Sequence, residues 1–486
     1  MASNGASRQY LPLTCHGHSR PVPHISFSSL EKDGEYFIIS ACKDGNPMLR
    51  HGRTGDWIGT FIGHKGATWQ AKQSPDNKIA ASASADFSTK VWNAHTGEML
   101  LVLKHDHVVR AVAFPLNISD ILATGGHEKI LRIWDLKSED HKDERVTSTI
   151  DEETRHTTYH IPPDMAHQIG DVHPDTIKFI VWPQQTTIIT AAGKTLRWHD
   201  VSTRNHYKEE VFDAEIKACE LVSLAPQYTS PNDVGGGLPV LSIAAGKNVY
   251  FYGGADCTQK INEFNLPHGV ASVGLDLKNH KFIVGEEPGT WARVYDWQGQ
   301  EIDVMKGHHG PIWCIQFSPD GKLYATGSED GTIRMWKNCE EDYGLWRERG
   351  TATAERVDPL AENERPPEAV AGPQQQQPAR PSDISGAPVT PLSEISVNVA
   401  KVPAAAYRGP QQPSDSQKES ESSTHWKAIL SPVAEESPSP RKKKRAQEDL
   451  PVNYSPRHPV SRPMSPGSLK MQNFLRRLER QGLSHD

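Results

Sequence analysis

The sequence lacks paired cysteines, a long apolar segment and a strong excess of either charge. Its six cysteines are scattered without a C-x-x-C pair, so reduced, buried thiols are expected. No apolar run approaches the roughly 18 residues that cross a bilayer, and the N terminus MASNGASRQY has no hydrophobic signal segment. A formal net charge of −7 weakens direct nucleic-acid binding as the main activity. These features predict a soluble intracellular protein.

Apolar residues are also scarce for a chain of 486 residues. They make up 36% of the sequence, yet there are twelve tryptophans, which require a substantial core. A folded part combined with a polar part that does not fold accounts for both observations. More than half of the 36 prolines lie after residue 350, together with GPQQQQPARP and many serines. We therefore expect a flexible N terminus at 1–9 and a long disordered tail at 347–486.

A repeated pattern identifies the folded part. Segments 63–92 and 307–336 both start with Gly-His, alternate twice like β-strands, and place a Trp six residues after an Asp. The histidine near the start of each recognisable repeat, called the blade histidine below, is usually followed nine positions later by an apolar residue. These residues are Phe27, Phe114, Trp182, Leu277 and Phe317, and Gln73 is the exception. The spacing predicts seven blades at 10–346, with a polar surface insertion near 137–170 that is either a partner-specific loop or tolerated length. The fold class is therefore an all-β, seven-bladed WD40 β-propeller.

The recurring polar residues are expected to hold the blades together. In two complete sets, a histidine, a Ser or Thr, a turn Asp and a Trp would form a buried hydrogen-bonded network: His64, Ser82, Asp86 and Trp92, and His308, Thr326, Asp330 and Trp336. The combination of Ser, His and Asp also suggests the catalytic triad of a hydrolase, but no nucleophile elbow or oxyanion motif accompanies it. Histidines that are close in the sequence have no carboxylate or thiolate residues near them at the spacing of a metal site. We expect no catalytic residue, no metal and no cofactor.

Ring closure needs a partner for the outer edge of the last blade, because an open edge invites aggregation. Two segments could supply it. The N-terminal segment Tyr10–Thr14 precedes the first Gly-His, and Tyr343–Trp346 follows the last blade. The sequence leaves both possibilities open.

Beyond the generic repeat, several segments resemble one family. The run SACKDGNPMLRHGRTGDWIGTFIGHKGATWQAK, the run SADFSTKVWNAHTGE, the last blade and the following YGLW are similar to the serine–threonine kinase receptor-associated proteins, also called Unr-interacting proteins. The resemblance covers roughly 10–346. It implies a scaffold in the survival-of-motor-neurons complex, which assembles spliceosomal ribonucleoproteins, with links to RNA-binding partners and receptor-kinase signalling. The I subunit of translation initiation factor three is the alternative relative, although N-P-M-L-R and T-G-D-W-I-G-T-F favour the first family.

Partner-binding residues are predicted at the mouth of the channel. Positions five after each blade histidine should lie at the entrance of the innermost strand: Pro23, Trp69, Arg110, Lys178, Val273 and Trp313. Tryptophan and arginine are typical of interaction hot spots. The alternative is that both tryptophans pack between blades. Neighbouring loops add Arg20, Lys43, Lys65 and Phe87 as candidates. The predicted partners are proteins, with indirect or weak RNA contact and neither a membrane nor a small-molecule substrate.

The tail carries three features. The basic run Arg441, Lys442, Lys443, Lys444 and Arg445 is typical of a nuclear import signal, which predicts a cytoplasmic and nuclear protein. Proline-directed phosphorylation sites are predicted at Thr390, Ser431, Ser437, Ser439, Ser455 and Ser465. The apolar spacing of residues 468–482 predicts a short basic amphipathic helix. This segment would either fold when it binds a partner protein or RNA, or have no binding function.

Overall fold

The computed structural model describes residues 11–137, 143–169 and 173–346. Within these ranges the chain is almost entirely β-strand, arranged in seven sheets. None of the helices in this part of the chain is long and apolar enough to span a membrane. The predictions for 1–9 and for the tail, including the import signal, the phosphorylation sites and the helix at 468–482, lie outside the described residues.

The strands of the first half are β1 (Leu13–Cys15), β2 (His24–Phe27), β3 (Phe37–Ala41), β4 (Met48–His51), β5 (Trp57–Thr60), β6 (Thr68–Gln73), β7 (Ile79–Ser84), β8 (Ser88–Asn93), β9 (Met99–Lys104), β10 (Val109–Ala113), β11 (Ile121–Gly126), β12 (Leu131–Asp135), β13 (Thr147–Ile150), β14 (Thr157–Ile161) and β15 (His167–Ile169). The second half contains β16 (Ile177–Val181), β17 (Thr187–Ala192), β18 (Thr195–Asp200), β19 (Asn205–Val211), β20 (Ile216–Val222), β21 (Val240–Ala245), β22 (Asn248–Gly253), β23 (Gln259–Asn265), β24 (Gly269–Asp276), β25 (Lys281–Glu287), β26 (Ala292–Asp296), β27 (Glu301–Met305), β28 (Ile312–Phe317), β29 (Leu323–Ser328) and β30 (Ile333–Lys337). Two short 3-10 helices lie at Pro163–Met165 and Pro226–Tyr228.

Seven sheets, each built on four antiparallel strands, form the blades and confirm the predicted seven-bladed propeller. Blade 1 contains β2–β5, blade 2 starts at β6, blade 3 at β10, blade 4 at β16, blade 5 at β20, blade 6 at β24 and blade 7 at β28. The first strand of every blade contacts the first strands of both neighbouring blades, so these seven strands line the central channel. The degenerate fifth blade, which lacks the Gly-His histidine, completes the ring at β20–β23.

The distribution of side chains explains why the ring forms. The second strands are buried over all or most of their length and rich in small or β-branched residues, as in β21 (VLSIAA), because neighbouring blades cover both of their faces. The outer strands of blades 4, 5 and 6 are instead exposed or half-buried and carry several charges, as in β19 (NHYKEEV). Core clusters therefore lie between blades: Ile133 of blade 3 packs in one cluster with Ile177 and Trp182 of blade 4. A single blade would leave these apolar faces in water.

The N-terminal strand closes the ring. Strand β1 pairs antiparallel with β30, with Leu13 opposite Met335 and Cys15 opposite Ile333. The alternative segment forms a turn in which Tyr343 and Trp346 bridge each other. Its Trp346 Nε1 donates a hydrogen bond to the Leu11 carbonyl at 2.8 Å. This segment therefore holds the closing strand in place and supplies no blade strand.

The described part of the predicted insertion near 137–170 lies mostly at the surface and contains three strands that the sequence did not indicate. Strand β15 is the outer strand of blade 3, and the β13–β14 hairpin joins blade 2 through parallel pairing of β14 with β9. Blade 2 is thus a six-stranded sheet. The buried apolar residues of this segment are Ile161 (8% exposed), Ala166 (9%) and Ile169 (4%). Three such residues in a charged segment give too weak a periodic signal to indicate strands.

Candidate functional site

The histidine network holds the loops at one end of the channel. In blade 2, His64 Nδ1 lies 2.8 Å from Asp86 Oδ2, and His64 Nε2 lies 2.8 Å from Ser82 Oγ, which also accepts a 2.8 Å hydrogen bond from Trp92 Nε1. Asp86 additionally accepts from the Lys65 backbone N–H at 3.0 Å. The loop before the blade is thereby tied to the turn between its second and third strands. Both belong to the end where the innermost strands begin, which we call the upper mouth.

Blade 7 repeats this arrangement. His308 lies 3.0 Å from Asp330 and 2.8 Å from Thr326, and Trp336 Nε1 donates to Thr326 Oγ1 at 3.0 Å. Burial alone would raise the pKa of Asp330, but backbone and side-chain donors, including His309 N–H and Thr332, hold that pKa well below its usual value. The carboxylate is therefore ionised and fully engaged in structural hydrogen bonds.

Other blades vary the network. Blade 3 uses Glu128 where other blades have Asp; burial opposes ionisation, but His105 and Arg132 hold its pKa at about 2. In blade 1, His18, Cys42 and Asp44 place possible metal ligands within 4.8 Å of one another. His18 lies 2.8 Å from Ser40 Oγ, while the Cys42 thiol donates to the Arg20 carbonyl. Burial raises the pKa of Cys42 to about 12, so the thiol stays protonated and is a poor metal ligand.

Residues at the start of the innermost strands form β-bulges. In several blades the pairing between the first and second strands skips one residue of the first strand. The skipped residues are Trp69, Arg110, Lys178, Lys217, Ala271 and Trp313. A bulge re-aims the side chain of the extra residue and commonly occurs next to functional sites. Four of the mouth residues predicted from the sequence, Trp69, Arg110, Lys178 and Trp313, therefore lie at equivalent places around the upper mouth.

Four of the predicted residues contact one another in a row. Lys43 Nζ lies 5.5 Å from the ring centroids of both Trp69 and Trp313, and Arg110 Cζ lies 3.7 Å from the Trp69 centroid. We call Trp313, Lys43, Trp69 and Arg110 the cation–aromatic ladder. All four are partly exposed, so neither tryptophan is buried between blades. Cation–π contacts of this kind contribute about 0.5–2 kcal/mol each.

The polar atoms of the ladder are unevenly satisfied. Trp313 Nε1 donates to Glu329 Oε2 at 2.6 Å. In contrast, Trp69 Nε1 and Arg110 Nε are buried and have no hydrogen-bond partner in the described part of the chain. Burial lowers the pKa of Arg110 to about 10, partly offset by the negative charge of Glu215, so the guanidinium remains charged at neutral pH. The ladder thus contains two buried donors that the described part of the chain leaves unsatisfied.

The other bulge positions differ from the prediction in two blades. Lys178 forms an ion pair with Glu215, and Lys217 forms one with Glu287. Lys217 was not predicted, because blade 5 has no histidine after which the five positions could be counted. Val273 is wrong as a mouth residue: it is 2% exposed, and the bulge falls at Ala271 because the loop after His268 is two residues shorter.

The loop candidates surround the ladder. Arg20 and Lys65 are exposed. Phe87, 45% exposed, has its ring centroid 5.3 Å from His107, which in turn stacks on His127 at 5.0 Å. Partial burial and the positive charges of His107, Arg110 and Lys178 lower the pKa of His127. The upper mouth at blades 2 and 3 is therefore basic and aromatic.

The opposite end of the channel has a different character. A cavity of about 400 Å³ is lined there by residues from the repeat register, including Phe27, Phe114, Trp182 and Phe317. Glu220 of blade 5, which also lines this cavity, lies 3.2 Å from His24 of blade 1 and 3.1 Å from Lys72 of blade 2. Burial would raise the pKa of Glu220, but Lys72 and His24 hold it at about 2. This bridge ties three innermost strands together across the channel.

The fold and the recurring networks define a WD40 β-propeller protein whose upper mouth presents a basic, aromatic surface. The WD domain, G-beta repeat family matches at residues 55–93 and 299–337. The serine-threonine kinase receptor-associated protein of Gallus gallus is 40% identical over 69% of this chain and 85% of its own length. That of Dictyostelium discoideum is 38% identical over 67% of this chain and 98% of its own. The chain belongs to the serine-threonine kinase receptor-associated protein family.

A more distant similarity exists to a translation protein. Eukaryotic translation initiation factor 3 subunit I of Danio rerio is 24% identical over 67% of this chain and 95% of its own length. The lower identity over a similar length places this chain with the first family. The similarities to these two relatives cover 69% and 67% of this chain.

Proposed function

We propose that this protein is a non-catalytic scaffold that assembles other proteins through its upper mouth. The observation that carries the proposal is the cation–aromatic ladder, a half-buried row of two tryptophans and two cations. Partly desolvated Trp and Arg residues near the centre of a surface are the usual carriers of binding energy. The His–Asp pairs that might suggest catalysis are engaged in hydrogen bonds that hold loops together.

The process we propose is RNA processing: assembly of spliceosomal ribonucleoproteins within a complex of the survival-of-motor-neurons type. Membership of the receptor-associated family supports this assignment, as does the formal net charge of −7, which favours protein partners over direct binding of an RNA backbone. Two other roles compete. The similarity to initiation factor 3 subunit I favours a translation-initiation complex, and the similarity to serine-threonine kinase receptor-associated proteins favours a receptor-kinase scaffold.

Affinity purification of the tagged full-length chain distinguishes these roles. We expect splicing-particle assembly proteins to co-purify with the wild type and to be lost with Trp69→Ala. The matched control is Trp57→Ala, because Trp57 is 60% exposed on β5 and takes no part in the ladder. Recovery of initiation subunits or a receptor kinase would replace the proposed process. Equal recovery of partners by Trp69→Ala and the wild type would rule out the ladder as the binding surface.

We also propose that the protein enters the nucleus through the basic run at 441–445, under control of phosphorylation at Ser437 and Ser439. A phosphate adds about −1.5 to −2 charge beside the five basic residues and would compete with an acidic import receptor. The Ser437→Asp/Ser439→Asp double variant should therefore shift toward the cytoplasm when its distribution is imaged in cells. An unchanged distribution would disprove this control.

A further inference from the structure

The guanidinium of Arg110 is the most unusual charged group at the upper mouth. It lies against the ring of Trp69, with Cζ 3.7 Å from the ring centroid. Among the described residues, no carboxylate forms an ion pair with it, and its Nε is buried without a partner. By comparison, Arg293 also lies over a tryptophan, Trp291, but it is paired with both Glu286 and Glu301.

The Trp69 ring covers one side of the Arg110 guanidinium, and the terminal Nη groups make no hydrogen bond within the described part of the chain, so they can donate to a ligand. A planar guanidinium matches a carboxylate in a two-point, charge-assisted hydrogen bond. The neighbouring acid, Glu215, is already paired with Lys178. Partial burial strengthens the bond that a ligand carboxylate would make, because fewer water molecules compete for the donors.

We infer that the Arg110 guanidinium, held against the Trp69 ring, forms a carboxylate-binding site that recognises an acidic residue in an extended segment of a partner protein. This inference rests on the proposed function and names the partner chemistry of the same surface. The adjacent Lys43 and Trp313 extend the site toward blade 7 and would contact the residues that flank the acidic one.

The surroundings favour a peptide carboxylate over an RNA. Both tryptophans of the ladder are in contact with cations, so their faces are not free platforms for base stacking. Glu215, Glu287 and Glu329 also lie among the mouth residues and would repel a continuous phosphate backbone. A single carboxylate directed at Arg110 meets one guanidinium, and of these three acids only Glu215, which is paired with Lys178, acts on the Arg110 charge.

Fluorescence anisotropy with the full-length chain tests the inference. The probe is a short labelled peptide of repeated Glu-Leu-Gly units, compared with its Gln-Leu-Gly counterpart. The wild type should bind the Glu peptide at least about tenfold more tightly, as expected for a charge-assisted hydrogen bond. Arg110→Gln and Arg110→Lys should both lose this preference, because lysine keeps the charge but lacks the two-point geometry. The control variant Arg293→Gln should keep it.

Several outcomes would overturn the inference. They are the absence of a preference for the Glu peptide, a full preference in Arg110→Lys, or tighter Arg110-dependent binding of a phosphoserine peptide or an oligouridine RNA. Thermal midpoints of the variants show whether each one is folded. If Trp69→Ala loses its partners in affinity purification while no carboxylate preference exists, only this inference fails. If the preference exists but no protein is recovered, the proposed function fails alone.

Discussion

Removal of one hydroxyl group should weaken blade 2 measurably. Ser82 is fully buried, and its Oγ lies between Trp92 Nε1 and His64 Nε2, each at 2.8 Å. The ionised Asp86 carboxylate can only accept, so the neutral His64 carries its hydrogen on Nδ1 and donates it to Asp86. His64 Nε2 therefore accepts from the Ser82 hydroxyl, whose oxygen accepts from the Trp92 indole. Ser82→Ala therefore leaves two buried groups unpaired at once.

The expected cost follows from this geometry. Each buried unpaired group costs about 1–3 kcal/mol, so the pair costs about 2–6 kcal/mol. An unfolding entropy of about 2.1 cal/mol/K per residue gives roughly 1.4 °C per kcal/mol for a propeller of this size. The calorimetric midpoint of Ser82→Ala should therefore fall by about 3–8 °C.

Thr89 provides the matched control. It is fully buried on the adjacent strand β8, and its Oγ1 has no partner in the described part of the chain. Thr89→Val replaces this hydroxyl by a methyl group of the same shape, so the midpoint should stay within about 1 °C or rise. If Ser82→Ala lowers the midpoint no more than Thr89→Val does, the network contributes little and the reasoning is refuted.

Further perturbations test other parts of the ring. The ordinary pKa of Glu220 is 4.5 and its folded value is about 2, so its stabilising effect is complete above about pH 4.5 and is lost as the pH falls toward 2. In an acid titration followed by tryptophan fluorescence, Glu220→Gln should lose less stability than the wild type over that window; an equal loss would contradict the shift. Deletion of 11–15 should cause aggregation seen by light scattering, because it unpairs β30, whereas deletion of 1–9 should not. Trp346→Ala should lower the free energy of unfolding by about 2–5 kcal/mol and the calorimetric midpoint by about 3–7 °C, because it removes a buried ring and the bond to Leu11; an unchanged midpoint would show that the turn is dispensable.

The sequence predicted the site where loop lengths are constant. Trp69 and Arg110 both follow a blade histidine by five residues, and both fall on a bulge at the upper mouth. The count failed at Val273 because one loop is two residues shorter, and it had no starting point for Lys217. The role of Lys43 between two tryptophans was also not visible in the spacing, since its turn belongs to blade 1 while the rings belong to blades 2 and 7.

The strands near 147–169 show a second limit of the sequence. The repeat spacing counted seven blades correctly, because each blade carries its own periodic signal. The β13–β14 hairpin depends instead on a parallel pairing between β14 and β9, more than 50 residues apart, and Tyr159 opposite Leu101 shows this register. A pairing so distant along the chain leaves no local pattern that distinguishes it from a loop.

Crosslinking mass spectrometry of the native complex tests the central claim, that partners bind at the upper mouth, most directly. The chain carries suitable lysines at both ends of the channel: Lys43 and Lys65 lie at the upper mouth, and Lys78 and Lys278 lie in the turns at the opposite end. Our account predicts crosslinks to partner proteins at Lys43 and Lys65. Partner crosslinks confined to Lys78 and Lys278 would contradict it.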